Sequence, residues 1–350
     1  MVHIPLRLRI DGDAMVANWR WLAAKGRGAA CGAAVKADGY GVGAREAVDR
    51  LAAAGCRDFF VATWAEAEAL RPWPAQLTLS VLHGVGRDDV ADALASPARP
   101  VLNTPAQVQR WREHGGGRPC DIMVDTGMNR LGLTAEEART AIADGLAVET
   151  VMSHLACADE PDHPLNRRQL QRFGELRAAL PAQRYSLANS AGICLGADYA
   201  FDLVRPGLAL YGGVPVPGEP EQSAAIRPVV FVEAQLVQLR AVRAGESVGY
   251  GATYIAPSPR RVGILNIGYA DGYLRALGPG GRADWKGQAF PVIGRVSMDL
   301  LAVDLTDGSG IAEGDWLQVD FRLPDLAAAS GLSQYELLTM LGRRYERIWS

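Results

Sequence analysis

The sequence predicts an α/β fold in which an N-terminal (β/α)8 TIM barrel is followed by a mostly antiparallel β domain. The barrel is predicted because short apolar runs alternate eight times with longer amphipathic segments in the first part of the chain. The β domain is predicted because the chain beyond Gly218 is rich in β-forming runs and turns, without long helical segments between them. At 350 residues the chain has room for both parts.

The chain begins with a predicted strand and a predicted helix that precede the barrel pattern. Leu6–Ile10 alternates apolar and polar residues, which is typical of a short strand. Asp11 and Asp13 can cap a helix, and Ala14–Lys25 then places apolar residues at helical spacing. We count residues 1–11 with the barrel, although they are also suited to pair with the β domain.

Eight apolar runs are predicted as barrel strands: Gly32–Lys36, Phe59–Thr63, Leu77–Leu82, Pro100–Asn103, Ile122–Asp125, Val148–His154, Tyr185–Asn189 and Leu203–Arg205. The helices between them include Trp64–Leu70, Pro105–Glu113, Ala135–Ala143 and Asn166–Leu180. A doubly wound sheet has the same rhythm. However, Gly39, Gly41 and Gly43 lack the usual spacing of the phosphate-binding turn in such a sheet.

Five β-rich segments are predicted in the second domain: Val229–Arg240, Gly245–Ile255, Arg261–Ile267, Gln288–Val296 and Leu301–Leu305. Pro215–Pro220 is the expected link, so we predict domains at residues 1–220 and 221–350. Ser333–Ile348 has helical periodicity and a basic end, which predicts an amphipathic C-terminal helix.

Composition narrows the functional classes. A net charge of -3 gives no long-range attraction to nucleic acid or to an anionic membrane. No apolar run is long enough to span a bilayer, and the N-terminus lacks the pattern of a signal peptide. The five cysteines are scattered as in a reducing compartment, and no further ligands cluster with His154 and Cys157. We therefore expect a cytoplasmic protein without a metal site.

Lys36 stands out because it ends the small apolar run that begins at Cys31. A lysine at the point where a buried strand leaves the core is partly desolvated. Desolvation favours the neutral amine, which is the form that attacks aldehydes. The alternative is a lysine whose ammonium simply reaches water from the strand end.

Polar residues also follow four other predicted strands: Asp125, His154, Asn189 with Ser190, and Arg205 with Gly207. Barrel active sites are built at the carboxyl ends of the strands, so these residues indicate a functional site. Pyridoxal phosphate (PLP) is the common aldehyde for a lysine, and Ser190 and the Gly207 turn are suited to its phosphate. Arg205 would keep a facing pyridine nitrogen unprotonated, which weakens the ring as an electron sink. The alternative for Arg205 is a surface ion pair with Asp202.

Several motifs, ordered along the whole chain, resemble those of the alanine racemase family. They are Ala34–Gly41, Asp125–Gly132, Ser153–Asp159, Asn189–Gly192, Val204–Gly212, Gly249–Tyr254, Ile267–Gly272 and Gly294–Asp299. The ordered set is specific, although no single motif is. This resemblance implies a PLP-dependent isomerase that interconverts L- and D-alanine and works as a homodimer with shared active sites.

The resemblance also implies residue roles. Lys36 would carry PLP and act as one acid–base group, while Tyr250 of the partner subunit would act on the opposite face, because racemisation needs both faces. The implied PLP contacts are Lys36, Tyr40, His154, Asn189, Ser190, Arg205, Gly207 and Leu208, with His154 hydrogen-bonded to Arg205. The implied substrate residues are Arg130 and the Met298 backbone. Tyr269, Asp299, Asp159, Arg275 and Arg295 would line the entry.

Three positions depart from the family pattern. Met123 stands where the family often has a carbamylated lysine that braces the carboxylate-binding arginine. We expect no carbamylated lysine here, so a neighbouring side chain or a bound anion must orient Arg130. Arg343 stands where the family often has a phosphate-contacting tyrosine, a role that Tyr345 could also take, and Val42 replaces a common histidine.

Other functions stay open on sequence alone. A racemase that prefers serine or larger amino acids would carry the same motifs. A decarboxylase on a similar two-domain plan fits less well with Tyr250 and Arg205, and a PLP-binding protein without turnover would not need the tyrosines of the β domain. Supply of D-alanine for peptidoglycan and breakdown of D-alanine are not distinguished.

Overall fold

The computed structural model describes residues 2–350 and divides into two compact units. The barrel unit is Ala14–Arg227, and the β unit joins the N-terminal residues up to Asp13 with Pro228–Ser350. The division therefore lies a few residues beyond the boundary that we expected at residue 220. Within residues 2–350, no helix has both the length and the apolar character needed to cross a membrane.

The elements are numbered along the chain. The strands are β1 (Leu6–Ile10), β2 (Ala30–Cys31), β3 (Ala33–Ala34), β4 (Asp58–Val61), β5 (Thr78–Val81), β6 (Arg99–Leu102), β7 (Cys120–Met123), β8 (Val148–Met152), β9 (Arg184–Ser186), β10 (Leu203–Val204), β11 (Val230–Val242), β12 (Ser247–Val248), β13 (Tyr254–Ile255), β14 (Arg260–Leu265), β15 (Arg282–Trp285), β16 (Gln288–Ile293), β17 (Leu301–Asp304), β18 (Trp316–Val319) and β19 (Glu346–Trp349). The α-helices are α1 (Gly12–Lys25), α2 (Lys36–Tyr40), α3 (Ala44–Ala54), α4 (Trp64–Ala69), α5 (Val90–Ala95), α6 (Pro105–His114), α7 (Ala135–Ala143), α8 (Pro164–Ala179), α9 (Ser190–Cys194), α10 (Pro220–Ala225), α11 (Leu323–Ser330) and α12 (Gln334–Thr339).

The barrel unit confirms the predicted fold class. Strands β3 to β9 form one parallel sheet in chain order, and β10 pairs with β2. Gly32 joins β2 to β3 as one strand, and a Cβ there would lie 2.8 Å from the carbonyl oxygen of Asp58. The strand can therefore approach β4 only because this residue is glycine.

Backbone hydrogen bonds on both sides of β10 close the barrel. The N–H groups of Ala30, Gly32 and Ala34 donate to the carbonyls of residues 202, 204 and 206. On the other side, the Arg205 N–H donates to the carbonyl of Ala188, just after β9. All eight strands consequently point the same way, and their carboxyl ends meet at one edge, which we call the barrel mouth.

Three outer helices begin where the sequence supplies a capping threonine. The side chains of Thr63, Thr104 and Thr134 each accept the backbone N–H three residues further on, at the starts of α4, α6 and α7. These hydrogen bonds satisfy N–H groups that have no partner inside the helix, so the helix starts are fixed locally by the sequence.

The β unit is built on an eight-stranded sheet in the order β14-β17-β16-β15-β18-β11-β1-β19. The long strand β11 pairs antiparallel with β1, β14 and β18. Along β1 the inward side chains of Leu6, Leu8 and Ile10 are at most 1% exposed. This N-terminal strand is therefore part of the core of the β unit.

The predicted C-terminal helix over Ser333–Ile348 is wrong. Helix α12 ends at Thr339, and β19 pairs in parallel with β1, where Arg7 faces Glu346. The side chain of Tyr345 is buried, and its hydroxyl donates to the carbonyl of Asp271. Pairing with a strand at the far end of the chain therefore overrides the local helical pattern.

Truncation of a core side chain in β1 should destabilise the β unit. Leu8→Ala should lower the free energy of unfolding by about 2–5 kcal/mol, because it leaves a cavity in a closed core. Ile348→Ala, in the neighbouring β19 where Ile348 is 37% exposed, is the control and should cost less than about 1 kcal/mol. Urea unfolding followed by circular dichroism measures both, and equal effects would contradict the described packing.

Candidate functional site

Arg205 directly follows β10 at the barrel mouth, where its side chain is almost fully buried. Its guanidinium donates to the hydroxyl of Ser186 and to the carbonyl of Ser153. Within the described residues, Nε has no hydrogen-bond partner and no carboxylate forms an ion pair with this group. Burial lowers the pKa of Arg205 to about 10, so it remains a cation at neutral pH.

The surface ion pair with Asp202, which was the alternative interpretation of Arg205, is absent from the described residues. Asp202 instead accepts the N–H of Tyr185 and lies 3.6 Å from Arg177. The predicted hydrogen bond between Arg205 and His154 is also not formed among residues 2–350. Arg205 is consequently held by hydroxyl and carbonyl oxygens alone.

His154 follows β8 and lies among three cations. Burial, together with the charges of Arg205, Arg130 and Lys36, lowers the pKa of His154 to about 3. The structure therefore brings four of the predicted residues within electrostatic reach of one another. At neutral pH the imidazole is uncharged.

Lys36 begins α2, two residues after β3, and this short segment is a left-handed turn rather than a regular right-handed helix. Ala37, Asp38, Gly39 and Tyr40 have φ values of 54°, 52°, 61° and 55°. Such a run is costly for residues with a Cβ, so it needs support from its surroundings. The carboxylate of Asp38 accepts the N–H of Ala44, which ties the turn to α3.

Glu66 supports the same turn and is a residue that the sequence analysis missed. Its carboxylate accepts the N–H of Ala37 at 2.7 Å and that of Ala62 at 2.6 Å. Burial and the Arg130 charge lower the pKa of Lys36, while Glu66 opposes that shift. The spacing of Thr63 and Glu66, which form a capping box, was the available sequence signal.

Tyr40, Ser190, Gly207 and Leu208 form a cup at the barrel mouth. A Cβ on Gly207 would lie 2.2 Å from the Tyr40 hydroxyl, so glycine is required for this approach. The Ser190 hydroxyl accepts the N–H groups of Gly207 and Ala209, and the Leu208 N–H has no partner within the described residues. Two hydroxyls and a backbone donor suit a phosphate group.

Two further contacts fix the shape of this cup. Tyr40 stacks on Tyr211 with ring centroids 4.7 Å apart, and the Tyr211 hydroxyl donates to the carbonyl of Ala34. Asn189 caps the short helix α9 through the N–H of Gly192, which places Ser190 at the start of that helix. Asn189 therefore positions Ser190.

Arg130 is carried by an exposed loop that winds around the Asp125 carboxylate. That carboxylate accepts the N–H groups of Gly127, Met128 and Asn129. The loop closes where the Asp125 N–H donates to the carbonyl of Leu133. Asp159, the remaining predicted residue of the barrel unit, is exposed.

In the β unit, Tyr250 lies on a turn between β12 and β13 and is 66% exposed. The flanking Gly249 and Gly251 have positive φ, and Cβ atoms on them would lie 3.3 Å from the Arg295 backbone and 3.0 Å from its guanidinium, respectively. The turn that carries Tyr250 therefore packs against Arg295.

A second group in the β unit joins two turns. The N–H of Tyr269 donates to the carbonyl of Ser297, and the N–H of Ala270 donates to that of Met298. Met298 is exposed, and the guanidinium of Arg275 lies 5.2 Å from the centre of the Tyr269 ring.

Arg344, which the sequence analysis also missed, clamps these two turns. Its Nε donates to buried Asp271 and its Nη1 to Asp299, both at 2.7 Å. The Tyr345 hydroxyl donates its hydrogen bond to the carbonyl of Asp271, whereas the Arg343 side chain is exposed.

Replacement of His154 should remove one source of acid sensitivity. Because its folded pKa lies below its ordinary value of 6.5, the stability that neutral His154 contributes is present above about pH 6.5 and is lost as the pH falls toward 3. His154→Gln should therefore flatten the stability–pH curve in that window. Nuclear magnetic resonance of the ring should show no titration between about pH 8 and about pH 5. A midpoint near 6.5 would contradict the described environment.

Loss of Arg344 should loosen both turns of the clamp. Arg344→Met leaves the buried Asp271 carboxylate without its cation, and we expect a loss of about 1–3 kcal/mol in the free energy of unfolding. Arg322→Met removes a more exposed pair with Asp320 and should cost less than about 1 kcal/mol. Equal losses in thermal unfolding would show that Arg344 is an ordinary surface arginine.

Comparison with known proteins matches both units to one family. The family model described as "Alanine racemase, N-terminal domain" matches residues 10–215, and the one described as "Alanine racemase, C-terminal domain" matches residues 229–349. An alanine racemase of Acidiphilium cryptum is 44% identical over 97% of this chain and 98% of its own length.

Solved structures agree with this assignment. The alanine racemase of Bartonella henselae with covalently bound pyridoxal phosphate aligns with a TM-score of 0.90 and 36% identity, over 99% of this chain and 100% of that chain. The biosynthetic alanine racemase of Pseudomonas aeruginosa aligns with a TM-score of 0.89 and 34% identity, over the same shares of the two chains. The chain therefore belongs to the alanine racemase family.

Proposed function

We propose that the protein is a PLP-dependent alanine racemase that interconverts L- and D-alanine by a two-base mechanism. The observation that carries this proposal is the grouping of Lys36, His154 and Arg205 at the mouth of a barrel whose family racemises alanine. The Bartonella henselae relative holds PLP covalently, which supports the same cofactor here.

The residues of the barrel mouth fit PLP. The cup of Tyr40, Ser190, Gly207 and Leu208 would hold the phosphate, and Lys36 would anchor the aldehyde carbon. Arg205 offers its unpartnered Nε to the pyridine nitrogen, and because Arg205 stays cationic that nitrogen would stay unprotonated. When bound, PLP withdraws electrons from the α-carbon of an amino acid and so acidifies its Cα–H.

The residues of the chain then handle the proton and the substrate. Lys36 would take or return the Cα proton on one face, which a lowered amine pKa makes feasible near neutral pH. Tyr250 of the partner subunit would serve the opposite face, so the active form would be a homodimer.

Arg130 and the Met298 backbone would hold the substrate carboxylate. Tyr269, Arg275, Arg295, Asp299 and Asp159 would line the entry. Neutral His154 would lie by the cofactor ring without adding a proton to the site. We also propose a cytoplasmic location, which the five free cysteines support.

The substrate is tested by α-deuterium exchange and loss of optical rotation across a panel of amino acids. Alanine should have the highest kcat/KM, and protein purified without PLP should be inactive until PLP is added. A preference for serine or larger amino acids would replace the proposed specificity, and release of carbon dioxide would replace the reaction type.

Tyr250→Phe should separate proton exchange from racemisation. Racemisation should fall by about 100-fold or more in both directions, because the acid–base group of one face is lost. In heavy water, exchange of the Cα proton of the enantiomer that Lys36 serves should continue, and the absorbance of bound PLP should remain.

Tyr335→Phe is the matched control, because Tyr335 is an exposed tyrosine of the same unit. It should leave racemisation unchanged. A Tyr250→Phe variant that racemises at the rate of this control would rule out Tyr250 as the second base.

A further inference from the structure

Gln169 is a fully buried polar residue in the N-terminal half of α8. Its side-chain amide makes three hydrogen bonds. Nε2 donates to the Thr126 hydroxyl at 3.0 Å and to the carbonyl of His154 at 2.8 Å, and Oε1 accepts the N–H of Ala156 at 2.9 Å. One side chain from α8 therefore ties the segment after β7 to the segment after β8.

Thr126 extends this connection in two directions. Its hydroxyl lies 2.8 Å from that of Ser153, whose carbonyl accepts the guanidinium of Arg205. Its own carbonyl accepts Nη1 of Arg172 at 3.0 Å. Arg172 stands three residues after Gln169 and so shares its side of α8.

The loop held in this way is the one that carries Arg130. The N–H groups of Gly127, Met128 and Asn129 all donate to Asp125, next to Thr126, so a support at Thr126 is also a support for the loop. Met123 stands where the family often has a lysine that braces this arginine, and its side chain offers neither a charge nor a hydrogen-bond donor. Support for the loop must therefore come from another residue. Within the described residues, the Arg130 side chain forms no hydrogen bond of its own.

We propose that Gln169 is a positioning residue for the loop that carries Arg130. It fixes the Arg130 loop against the strand end of His154 and, through Ser153, against Arg205. The loop of Arg130, which would bind the substrate carboxylate, and Arg205, which would face the cofactor ring, thus share one buried support. This inference rests on the proposed role of Arg130 in binding the substrate carboxylate.

The test compares Gln169→Leu with Gln171→Leu, a glutamine on the same helix that is exposed and bonds Glu175. Gln169→Leu should raise the KM for alanine about tenfold or more with a smaller change in kcat, because the loop loses its hydrogen bonds. Gln169→Glu should not rescue KM, since a carboxylate cannot donate to Thr126 and His154. Gln171→Leu should leave KM unchanged.

A second readout needs no turnover. Hydrogen exchange of the Gly127, Met128 and Asn129 amides should speed up about tenfold in Gln169→Leu and stay at the wild-type rate in Gln171→Leu. Should Gln169→Leu fail to fold, Arg172→Met serves instead, because Arg172 is exposed and supports only the Thr126 carbonyl. It should raise KM about threefold.

Arg130→Met separates this inference from the proposed function. If Arg130→Met leaves KM unchanged, the proposed carboxylate role fails. If Arg130→Met raises KM but Gln169→Leu changes neither KM nor amide exchange, the positioning role of Gln169 alone is overturned. If Gln169→Leu raises KM in the wild type but not in the Arg130→Met background, the two residues act as one unit and both ideas stand.

Discussion

A guanidinium buried at the barrel mouth constrains the rest of the site. Arg205 has lost most of its hydration, and only the oxygens of Ser186 and Ser153 replace it directly. The carboxylate of Asp121, which is also buried, favours the charged form of Arg205 from further away. The Arg205 cation therefore carries a desolvation penalty, and it repels any second positive charge close to it.

The surroundings of Arg205 follow from that constraint. His154 is neutral because it is desolvated and because it shares the mouth with Arg205, Arg130 and Lys36. The Lys36 amine is driven toward its neutral form by burial and by the Arg130 charge. Lys36 and Tyr40 lie at the two ends of a left-handed turn. Positive φ in this turn costs about 1–3 kcal/mol of conformational free energy for each residue other than glycine. The carboxylates of Glu66 and Asp38 accept backbone N–H groups of Ala37 and Ala44, and these hydrogen bonds offset that strain.

The sequence predicts features whose cause is local. The barrel rhythm and the polar strand ends are visible in short windows of sequence, and the structure shows the parallel barrel strands that the rhythm predicts. Strand β19 could not be predicted, because it depends on pairing with β1 across nearly the whole chain. Its own periodicity agreed equally well with a helix.

The missed residues of the site have the same explanation. Gln169 and Arg344 lie in segments that look like ordinary polar surface, and their roles depend on loops far away in sequence that fold against them. Glu66 was assignable as a helix cap, but its contact with the turn of Lys36 depends on the packing of β4 against β3. The family resemblance supplies roles for Lys36 and Tyr250, which no periodicity contains.

The most direct test of the account is to trap the cofactor on the protein. The chain has three lysines, and the other two, Lys25 and Lys286, lie against Trp21 and Trp285. Borohydride reduction of the PLP-loaded protein, followed by peptide mass spectrometry, should find the pyridoxyl group on Lys36 alone. A pyridoxyl group on Lys25 or Lys286, or its retention by a Lys36→Ala variant, would contradict the assignment of the barrel mouth as the cofactor site.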